Sequence, residues 1–425
     1  MGRRETEKAI AAHNIQTQCC IAGGGPAGLM LGLLLARAGV SVVVLEKHGD
    51  FLRDFRGDTI HPSTLELMHE LGLLDEFLTL PHQRVSRFGL QFGERQIRLA
   101  EFSRLKTRCR FIAMMPQWDF LNFLAAEGAK LETFQLRRST EVTGLIEQDG
   151  RVIGVKAREP VGDIEVRAAL VIGADGRSST VRERAGLKVD VIGAPIDVLW
   201  FRLPKHHSDP DETMGRFDRG RVVVTLNRGD YWQCAFVIAK GSAEQRRQAG
   251  LAAFQAEIAQ AAPFVADRVG ALTTWDDAKL LTVRVDRLAR WWKPGLLCIG
   301  DAAHAMSPVA GVGINLAIQD AVAAANLLAA PLREGRTRDT DLARVQKRRA
   351  WAARTTQRLQ VAIQNRVIAP SLNVDRPLDV PFVFRLVERL PPLRALAARL
   401  IGVGLRPEHI GPALASGRVP GPAPD

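Results

Sequence analysis

The chain has 425 residues, of which 46% are hydrophobic and 24% charged, and this composition excludes a wholly disordered protein. Its length allows two or three domains, enough for a cofactor region and a separate substrate region. The net charge of +12 could attract an anionic partner, but the arginines are spread along the chain without a nucleic-acid-binding module, so we expect no nucleic-acid partner.

The first unit predicted along the chain is a strand, a helix and a second strand. The apolar patterns give a buried strand over 17–24, an apolar helix over 27–39 and a second strand over 40–47. Such a unit is typical of an α/β fold with a parallel sheet.

A glycine-rich loop joins that strand to that helix. Its pattern is Gly23-x-Gly25-x-x-Gly28, and Glu46 ends the next strand eighteen residues after Gly28. In this context the glycines let a diphosphate approach the helix N-terminus, and the carboxylate can accept hydrogen bonds from a ribose diol. A helix-packing glycine cluster in an unrelated α/β protein is the alternative.

The residue pattern changes in the middle of the chain. Strands are predicted over 151–157 and 165–176, and the β-branched and aromatic runs of 187–279 predict an antiparallel sheet in a different domain. A buried parallel strand returns at 296–300. The fold class is therefore a discontinuous Rossmann-like α/β domain with an inserted antiparallel-sheet domain and a C-terminal helical tail.

A second glycine-rich loop follows the strand at 296–300. The helix predicted after it, over 314–330, carries one charged residue, Asp320, and must be buried on most sides. Its N-terminus therefore points into the protein.

The tail beyond residue 333 is rich in arginine and helical. Its segment 384–404 is basic and amphipathic, and packing against the protein body is favoured over contact with a membrane surface. The five cysteines form no C-x-x-C pair, which favours buried free thiols in a reducing compartment. We expect a cytoplasmic protein without a metal site.

The segments 171–186 and 299–315, with the first glycine loop before them, resemble the three ordered signatures of the flavoprotein aromatic hydroxylases. This family includes para-hydroxybenzoate hydroxylase and the ubiquinone-pathway hydroxylases, and the resemblance covers the flavin-binding half of the chain. It implies a class A FAD-dependent monooxygenase, active as a monomer or homodimer. Such an enzyme takes electrons from NADH or NADPH and hydroxylates a small aromatic or related electron-rich ring with O2, through a flavin C4a-hydroperoxide.

The resemblance also implies a domain division. The FAD-binding domain takes 1–83, 105–186 and 280–332, the substrate domain takes 84–104 and 187–279, and the C-terminal helical region takes 333–425.

Several site residues follow from the resemblance. Asp175 and Gly176 correspond to a signature that supports FAD and the nicotinamide cofactor, with Arg182 near the latter. Asp301 corresponds to the carboxylate that binds the ribityl chain. Asp175 could instead form a turn or a cap, and Asp301 could cap a helix.

The second glycine loop corresponds to the reactive end of the flavin. Pro308 presents a carbonyl near that edge, while the amides of Gly313, Ile314 and Asn315 face the negative charge of the reduced ring. The family counterpart of His304 is structural rather than a proton shuttle.

Further positions match the family less closely. Arg56 and Gln117 resemble residues near the FAD diphosphate and ribityl groups, or are surface or capping groups, and Val142 would offer backbone atoms to the adenine. The chain has one tyrosine, Tyr231, so a two-tyrosine relay is excluded. Tyr231 is either a packed aromatic or a catalytic or substrate-contacting residue.

The predicted catalytic residues are the Pro308 backbone and Tyr231. The predicted cofactor-binding residues are Gly23, Gly25, Pro26, Ala27, Gly28, Glu46, Lys47, Arg56, Gln117, Val142, Asp175, Gly176, Gly300, Asp301, Pro308, Gly311, Gly313, Ile314 and Asn315. The alternatives are an FAD dehydrogenase or reductase without oxygen transfer, and a flavin-binding redox sensor or membrane-associated module. The sequence does not identify the substrate.

Overall fold

A computed structural model describes residues 14–52, 59–374 and 378–415. The strands, in chain order, are β1 (Asn14–Ala22), β2 (Val42–Leu45), β3 (Thr59–Ile60), β4 (Gln83–Val85), β5 (Arg87–Phe92), β6 (Arg95–Glu101), β7 (Ile112–Met114), β8 (Phe134–Arg137), β9 (Glu141–Gln148), β10 (Arg151–Glu159), β11 (Gly162–Gly173), β12 (Val189–Val191), β13 (Ile196–Pro204), β14 (Met214–Asp218), β15 (Arg221–Asn227), β16 (Tyr231–Ala239), β17 (Lys279–Leu281), β18 (Asp286–Leu288), β19 (Trp292–Lys293) and β20 (Leu296–Cys298).

The α-helices are α1 (Pro26–Arg37), α2 (Pro62–Glu70), α3 (Leu74–Phe77), α4 (Gln117–Ala129), α5 (Thr180–Arg184), α6 (Ala243–Ala249), α7 (Leu251–Ala261), α8 (Gly313–Arg333), α9 (Asp339–Ile363), α10 (Ala369–Ser371), α11 (Phe382–Arg389), α12 (Pro391–Gly402) and α13 (Pro412–Ala415). A π-helical turn, Gln364–Ile368, joins α9 to α10. Short 3-10 turns lie at Phe102–Arg104, Pro263–Ala271, Trp275–Asp277, Gly300–Ala302 and Val309–Gly311.

The main sheet has the order β19-β20-β11-β1-β2-β8, and β10 and β9 continue from β11. The strands β20, β11, β1, β2 and β8 run parallel to one another. Helix α1 is buried almost throughout because its residues are apolar on every side, and it packs between α8 and α4. This arrangement confirms the predicted Rossmann-like α/β domain.

The second sheet has seven strands in the order β17-β13-β16-β15-β14-β5-β6. Phe254 and Ile258 of α7 pack against one of its faces, with Phe201, Trp232 and Phe236 of the strands. The sheet is antiparallel apart from the pair β14–β5, which runs parallel; this is possible because β5 comes from an earlier part of the chain and is not joined to β14 by a hairpin. Strand β17 also reaches past residue 279, the predicted end of the substrate-domain segment.

The C-terminal helices pack on both sheets. Helix α9 contacts α8, and α12 lies on β6. The segment Val309–Arg333, which contains α8, is long and apolar enough to cross a membrane, but 67% of its most apolar window is buried inside the protein. We therefore interpret α8 as a core helix.

Candidate functional site

Four parallel strands end side by side at one edge of the main sheet. Ala22 at the end of β1 lies opposite Gly173 of β11 and Leu45 of β2, and Gly173 lies opposite Cys298 of β20. The loops that follow these strands therefore meet beyond the carboxyl ends, which is where open α/β sheets bind ligands.

The first glycine loop combines two glycines that the fold requires with one that leaves space. Gly23 has φ +103°, and a Cβ there would lie 2.3 Å from the carbonyl oxygen of Ala174. A Cβ on Gly28 would lie 1.9 Å from the carbonyl oxygen of Gly23. A Cβ on Gly25, by contrast, would meet no heavy atom of the described residues within 4 Å. This space is a cradle that a ligand can enter.

Helix α1 begins directly after this cradle. Pro26 is its first residue and has no N–H, while Ala27 is 5% exposed. The amides of the following first turn have no intrahelical partner, and the helix dipole makes this end partly positive. The loop and helix together form a site suited to an anion.

The Glu46 carboxylate fixes the geometry of the loop. Its Oε2 accepts a 2.9 Å hydrogen bond from the Gly24 amide, and its Oε1 accepts a 3.0 Å bond from the His48 amide. Glu46 is 8% exposed, whereas Lys47 beside it is exposed. Each carboxylate oxygen can accept more than one hydrogen bond, so these contacts are compatible with a ribose diol as a further donor.

Asp175 caps the short helix α5. Its carboxylate accepts hydrogen bonds from the Ser179 hydroxyl and, at 3.0 Å, from the Val181 amide. Burial raises the pKa of Asp175, and these hydrogen bonds oppose that rise. Gly176 follows in a left-handed conformation, with φ +83°. The side chain of Asp175 thus shapes the turn at the crevice.

Arg182 is a structural residue. Its guanidinium lies 3.2 Å from the Asp286 carboxylate and donates to the Arg177 carbonyl at 2.6 Å. The residue is 8% exposed. The described contacts of Arg182 are thus made inside the protein, and its contact with the nicotinamide cofactor stays a prediction.

The second glycine loop lies between helices α1 and α8. A Cβ on Gly300 would lie 3.3 Å from the Cβ of Ala27 and 3.2 Å from the Cβ of Ala317, so Gly300 lies between the first turn of α1 and the second turn of α8. Asp301 is partly exposed, and its Oδ2 lies 3.2 Å from the Arg177 guanidinium. A carboxylate therefore stands at the point where the two helices meet.

A network of buried charged residues binds the second glycine loop. The Asp320 carboxylate lies 2.6 Å from His304 Nε2, accepts a 3.1 Å bond from the Gly300 amide and lies 2.9 Å from Arg349 Nε. Arg349 also lies 3.4 Å from Glu408. Burial alone would raise the pKa of Asp320, but His304 and Arg349 outweigh it and hold that pKa below its usual range. His304 therefore occupies a structural position.

Two glutamines of the C-terminal helices hold the backbone of the second loop. Gln360 Nε2 donates to the carbonyls of Ser307 at 2.9 Å and Val309 at 3.0 Å. Gln364 Nε2 donates to the Ser307 hydroxyl at 2.7 Å. These bonds fix the loop on both sides of Pro308.

The turn after Pro308 has an unusual backbone. The Pro308 carbonyl accepts a 3.1 Å hydrogen bond from the Gly311 amide, and both Ala310 and Gly311 have φ +63°. A Cβ on Gly311 would lie 2.5 Å from Thr59 Oγ1. Ala310 holds a conformation that costs a non-glycine residue about 1 kcal/mol or more, and such positions cluster at functional sites.

The Asn315 side chain joins the start of α8 to the segment 59–61. Its Oδ1 accepts from the His61 amide at 3.0 Å, and its Nδ2 donates to the Thr59 carbonyl at 3.2 Å. The side chain is thereby engaged within the protein. The amides of Gly313, Ile314 and Asn315 lie in the first turn of α8, where the helix offers them no carbonyl.

The remaining predicted cofactor residues lie in other elements or outside the described residues. Gln117 is the first residue of α4 and is half-buried, and Val142 lies on β9 with 8% exposure. Arg56 lies outside the residues that the structure describes.

Tyr231 lies where the second sheet faces the head of α4. The Arg202 guanidinium lies 5.1 Å from the centroid of the Tyr231 ring and 5.9 Å from that of Trp118, which follows Gln117 in α4. Both distances are within the range of a cation–π contact. The arginine therefore links the second sheet to the first turn of α4, beside Gln117.

The described part of the chain offers no alternative centre of metal or thiol chemistry. It contains no group of three or more His, Cys, Asp or Glu residues arranged to hold a metal ion. All five cysteines are free and buried, and burial raises the pKa of Cys20 to about 12. The crevice beyond the carboxyl ends of the parallel strands is therefore the candidate functional site.

The FAD-binding-domain family model matches residues 16–359. The chain belongs to this family. The 6-methylpretetramide 4-monooxygenase of Streptomyces rimosus is 33% identical over 92% of this chain and 93% of its own length. The 3-demethoxyubiquinol 3-hydroxylase of Escherichia coli (strain K12) is 26% identical over 74% of this chain and 80% of its own length.

A solved structure shares the fold. The OxyS anhydrotetracycline hydroxylase from Streptomyces rimosus matches with a TM-score of 0.69 and 25% identity, over 91% of this chain and 76% of that chain. Three other relatives are longer, and the matched region spans 60–63% of their length. Together these matches confirm the predicted family and an FAD-dependent monooxygenase.

Sequence reasoning missed the residues that support this candidate site. Asp320 is visible as the single charge in an apolar helix, and that signal predicts a buried partner. Its partner Arg349 lies 29 residues later, and Glu408, which pairs with Arg349, lies 88 residues later, both in segments whose local pattern is that of an ordinary basic tail. No local signal distinguishes them.

Proposed function

We propose that this FAD-dependent monooxygenase takes electrons from NADH or NADPH and hydroxylates an electron-rich aromatic ring. A compound related to 6-methylpretetramide is the first substrate to test, because the relative named for it is 33% identical over 92% of this chain. The alternative of a reductase without oxygen transfer has no support among the relatives described above.

One observation carries the assignment of the cofactor site: Gly300 lies between the second turn of α8 and the first turn of α1, the helix that follows the open space at Gly25. Two partly positive helix ends and a glycine cradle suit a cofactor with a diphosphate at one end and a ring that gains negative charge on reduction at the other. The residues present therefore fit FAD.

The residues divide between the two ends of that cofactor. For the adenosine and diphosphate end we assign Gly23, Gly25, Pro26, Ala27, Gly28, Glu46, Lys47, Arg56 and Val142. For the ribityl chain and the ring we assign Gln117, Asp175, Gly176, Gly300, Asp301, Pro308, Gly311, Gly313, Ile314 and Asn315. Asp175 and Asn315 would act by shaping the backbone, because their side chains bind neighbouring parts of the protein.

Bound FAD would supply the transfer of electrons from the nicotinamide and the activation of O2. The protein would supply orientation, exclusion of water and electrostatics. The amides of Gly313 and Ile314 would stabilise negative charge on the ring, and the carbonyl of Pro308 would border its reactive edge. Asp301 would accept hydrogen bonds from ribityl hydroxyls.

The substrate would lie between the second sheet and this loop. Tyr231 and Arg202 are our candidates for contacting it, since both lie beside the head of α4. The predicted division into an FAD-binding domain, a substrate domain and a C-terminal helical region remains part of the proposal, as do a cytoplasmic location and a monomer or homodimer.

The test begins with the purified protein. It should be yellow, or become so with FAD, and should bleach anaerobically with NADH or NADPH. With the pretetramide-related substrate and 18O2, one labelled oxygen should enter the product for each O2 consumed. Substrate turnover without oxygen uptake would contradict the hydroxylase, and a protein that cannot take up FAD would contradict the site.

A further inference from the structure

Helix α11 presents apolar side chains to solvent. Phe382 is 68% exposed, Val383 64%, Leu386 39% and Leu390, just after the helix, 44%. At 100° per residue these four positions lie on one side of the helix, and we call them the apolar stripe. A soluble protein normally turns such a stripe inward.

The exposure of the apolar stripe does not come from a loose helix. On the opposite side, the Phe384 ring lies 5.8 Å from the Phe92 ring of the second sheet. Glu388 also pairs with Arg95 of β6 at 3.0 Å. The helix is therefore held to the protein by one side and presents the other.

Positive charge borders the apolar stripe. Arg385 and Arg389 are exposed, and their helical positions lie directly beside that of Phe382. Helix α12, which packs against α11, adds the 50% exposed Leu396 and the exposed Arg399. Aromatic and aliphatic side chains bordered by arginine are the composition of a helix that lies in the surface of a membrane.

A second copy of the chain fits this surface poorly. Each copy carries a net charge of +12, and a two-fold contact through the stripe would place two copies of Arg385 and Arg389 in the same small interface. A stable protein interface also buries about 800 Å² per partner, far more than four side chains of a short helix provide. An anionic bilayer satisfies both the apolar and the basic components.

We propose that α11 docks this enzyme reversibly on an anionic lipid bilayer. The four apolar side chains enter the boundary between headgroups and acyl chains, while the neighbouring arginines contact anionic headgroups. A stripe of this size gives peripheral, salt-sensitive binding rather than permanent insertion. The proposal does not depend on the substrate or electron donor of the enzyme.

Co-sedimentation of the FAD-loaded, full-length protein with lipid vesicles tests this membrane docking. With vesicles of phosphatidylcholine and phosphatidylglycerol at 3:1, the protein should pellet at 50 mM NaCl and be released at 500 mM, and it should stay in solution with pure phosphatidylcholine. The double variant Phe382→Asp/Leu386→Asp should bind at least about tenfold more weakly. Arg385→Gln/Arg389→Gln should also bind at least about tenfold more weakly, because each basic residue near the surface contributes.

Matched variants separate this surface from general effects of charge and hydrophobicity. Val161→Asp/Val191→Asp removes two apolar side chains that are each 80% exposed elsewhere, and Arg184→Gln/Arg247→Gln removes two other exposed arginines. Both should bind vesicles as the wild type does. Equal binding by the stripe variants, or no wild-type binding to the anionic vesicles, would overturn the proposal. So would stripe-dependent dimers in sedimentation velocity without vesicle binding.

Discussion

The Asp320 carboxylate lies 2.6 Å from His304 Nε2 inside the protein, where both residues are almost fully excluded from solvent. His304 belongs to the second glycine loop, and Asp320 belongs to the second turn of α8. The same carboxylate binds the Gly300 amide and the Arg349 guanidinium, so a single side chain joins the loop, the helix beneath it and the C-terminal region.

This relationship predicts that Asp320→Asn is both unstable and poor at binding FAD. Removing one partner of a buried charge network leaves the other charges uncompensated, and such changes cost about 3–5 kcal/mol. Urea unfolding of the apoprotein should show that loss, and FAD titration should show weaker binding. As a control, Asp163→Asn changes a carboxylate whose side chain is 73% exposed and should leave both quantities unchanged. Wild-type stability of Asp320→Asn would argue against the network.

The first glycine loop predicts opposite outcomes for two similar substitutions. Gly25→Ala should leave the free energy of unfolding of the apoprotein within about 0.5 kcal/mol of wild type, because the new Cβ meets no described atom. It should reduce FAD affinity at least about tenfold, because it fills the space where we expect the diphosphate.

Gly28→Ala is the matched comparison. Its Cβ would lie 1.9 Å from the carbonyl oxygen of Gly23, so the apoprotein itself should lose about 3 kcal/mol or more. Thermal unfolding and fluorescence titration with FAD measure both variants. Unchanged FAD affinity in Gly25→Ala would remove the diphosphate from this cradle.

Asp301 should contribute to binding through its charge and its acceptor oxygens. Asp301→Ala should weaken FAD binding about 10- to 100-fold, the range expected when hydrogen bonds to a charged group are lost. Asp301→Asn, which keeps one acceptor oxygen, should lose less. Asp211→Ala removes a side chain that is 89% exposed and serves as the control. If Asp301→Ala binds FAD as tightly as the wild type, its assigned contact with the ribityl chain is incorrect.

His61 should make the fold sensitive to mild acid. Burial lowers the pKa of His61 to about 4, although its hydrogen bond to the Ile401 carbonyl works in the opposite direction. An unfolded histidine has a pKa of about 6.5, so between about pH 6.5 and 4 the unfolded chain binds a proton that the folded chain does not. The free energy of unfolding therefore falls as the pH drops through this window, and the contribution of His61 is complete above it.

The measurement is urea unfolding at several pH values. The wild type should lose on the order of 3 kcal/mol from this residue across the window, and His61→Gln should flatten the curve. The exposed His69→Gln should leave the slope as it is. A curve for His61→Gln that parallels the wild type would show that other groups cause the acid sensitivity.

Sequence and structure agree most closely where glycine is required. The left-handed turn at Gly23 and the contact between Gly28 and the Gly23 carbonyl are local, since the residues involved are a few positions apart and no side chain fits at Gly28. The helix predicted over 314–330 is also recognisable from a local property, its apolar composition, and the structure contains it as Gly313–Arg333. The family could be recognised from three such local patterns in order.

Other parts of the molecule depended on contacts between distant segments. The amphipathic tail was expected to pack against the protein; α12 does pack on β6, but the apolar stripe of α11 remains exposed. Periodicity identifies an apolar face, but it does not say what that face meets, because that depends on the surfaces that other segments leave open.

The sequence by itself thus determined the strand, glycine-loop and helix units and the family, because those patterns reflect backbone sterics and burial within short segments. The tertiary structure decided that Arg349 meets both Asp320 and Glu408, that β5 pairs parallel with β14, and which face of α11 remains in solvent. Charge pairing, strand order and exposure are properties of neighbours in space, and residues tens of positions apart become neighbours only when the whole chain has folded.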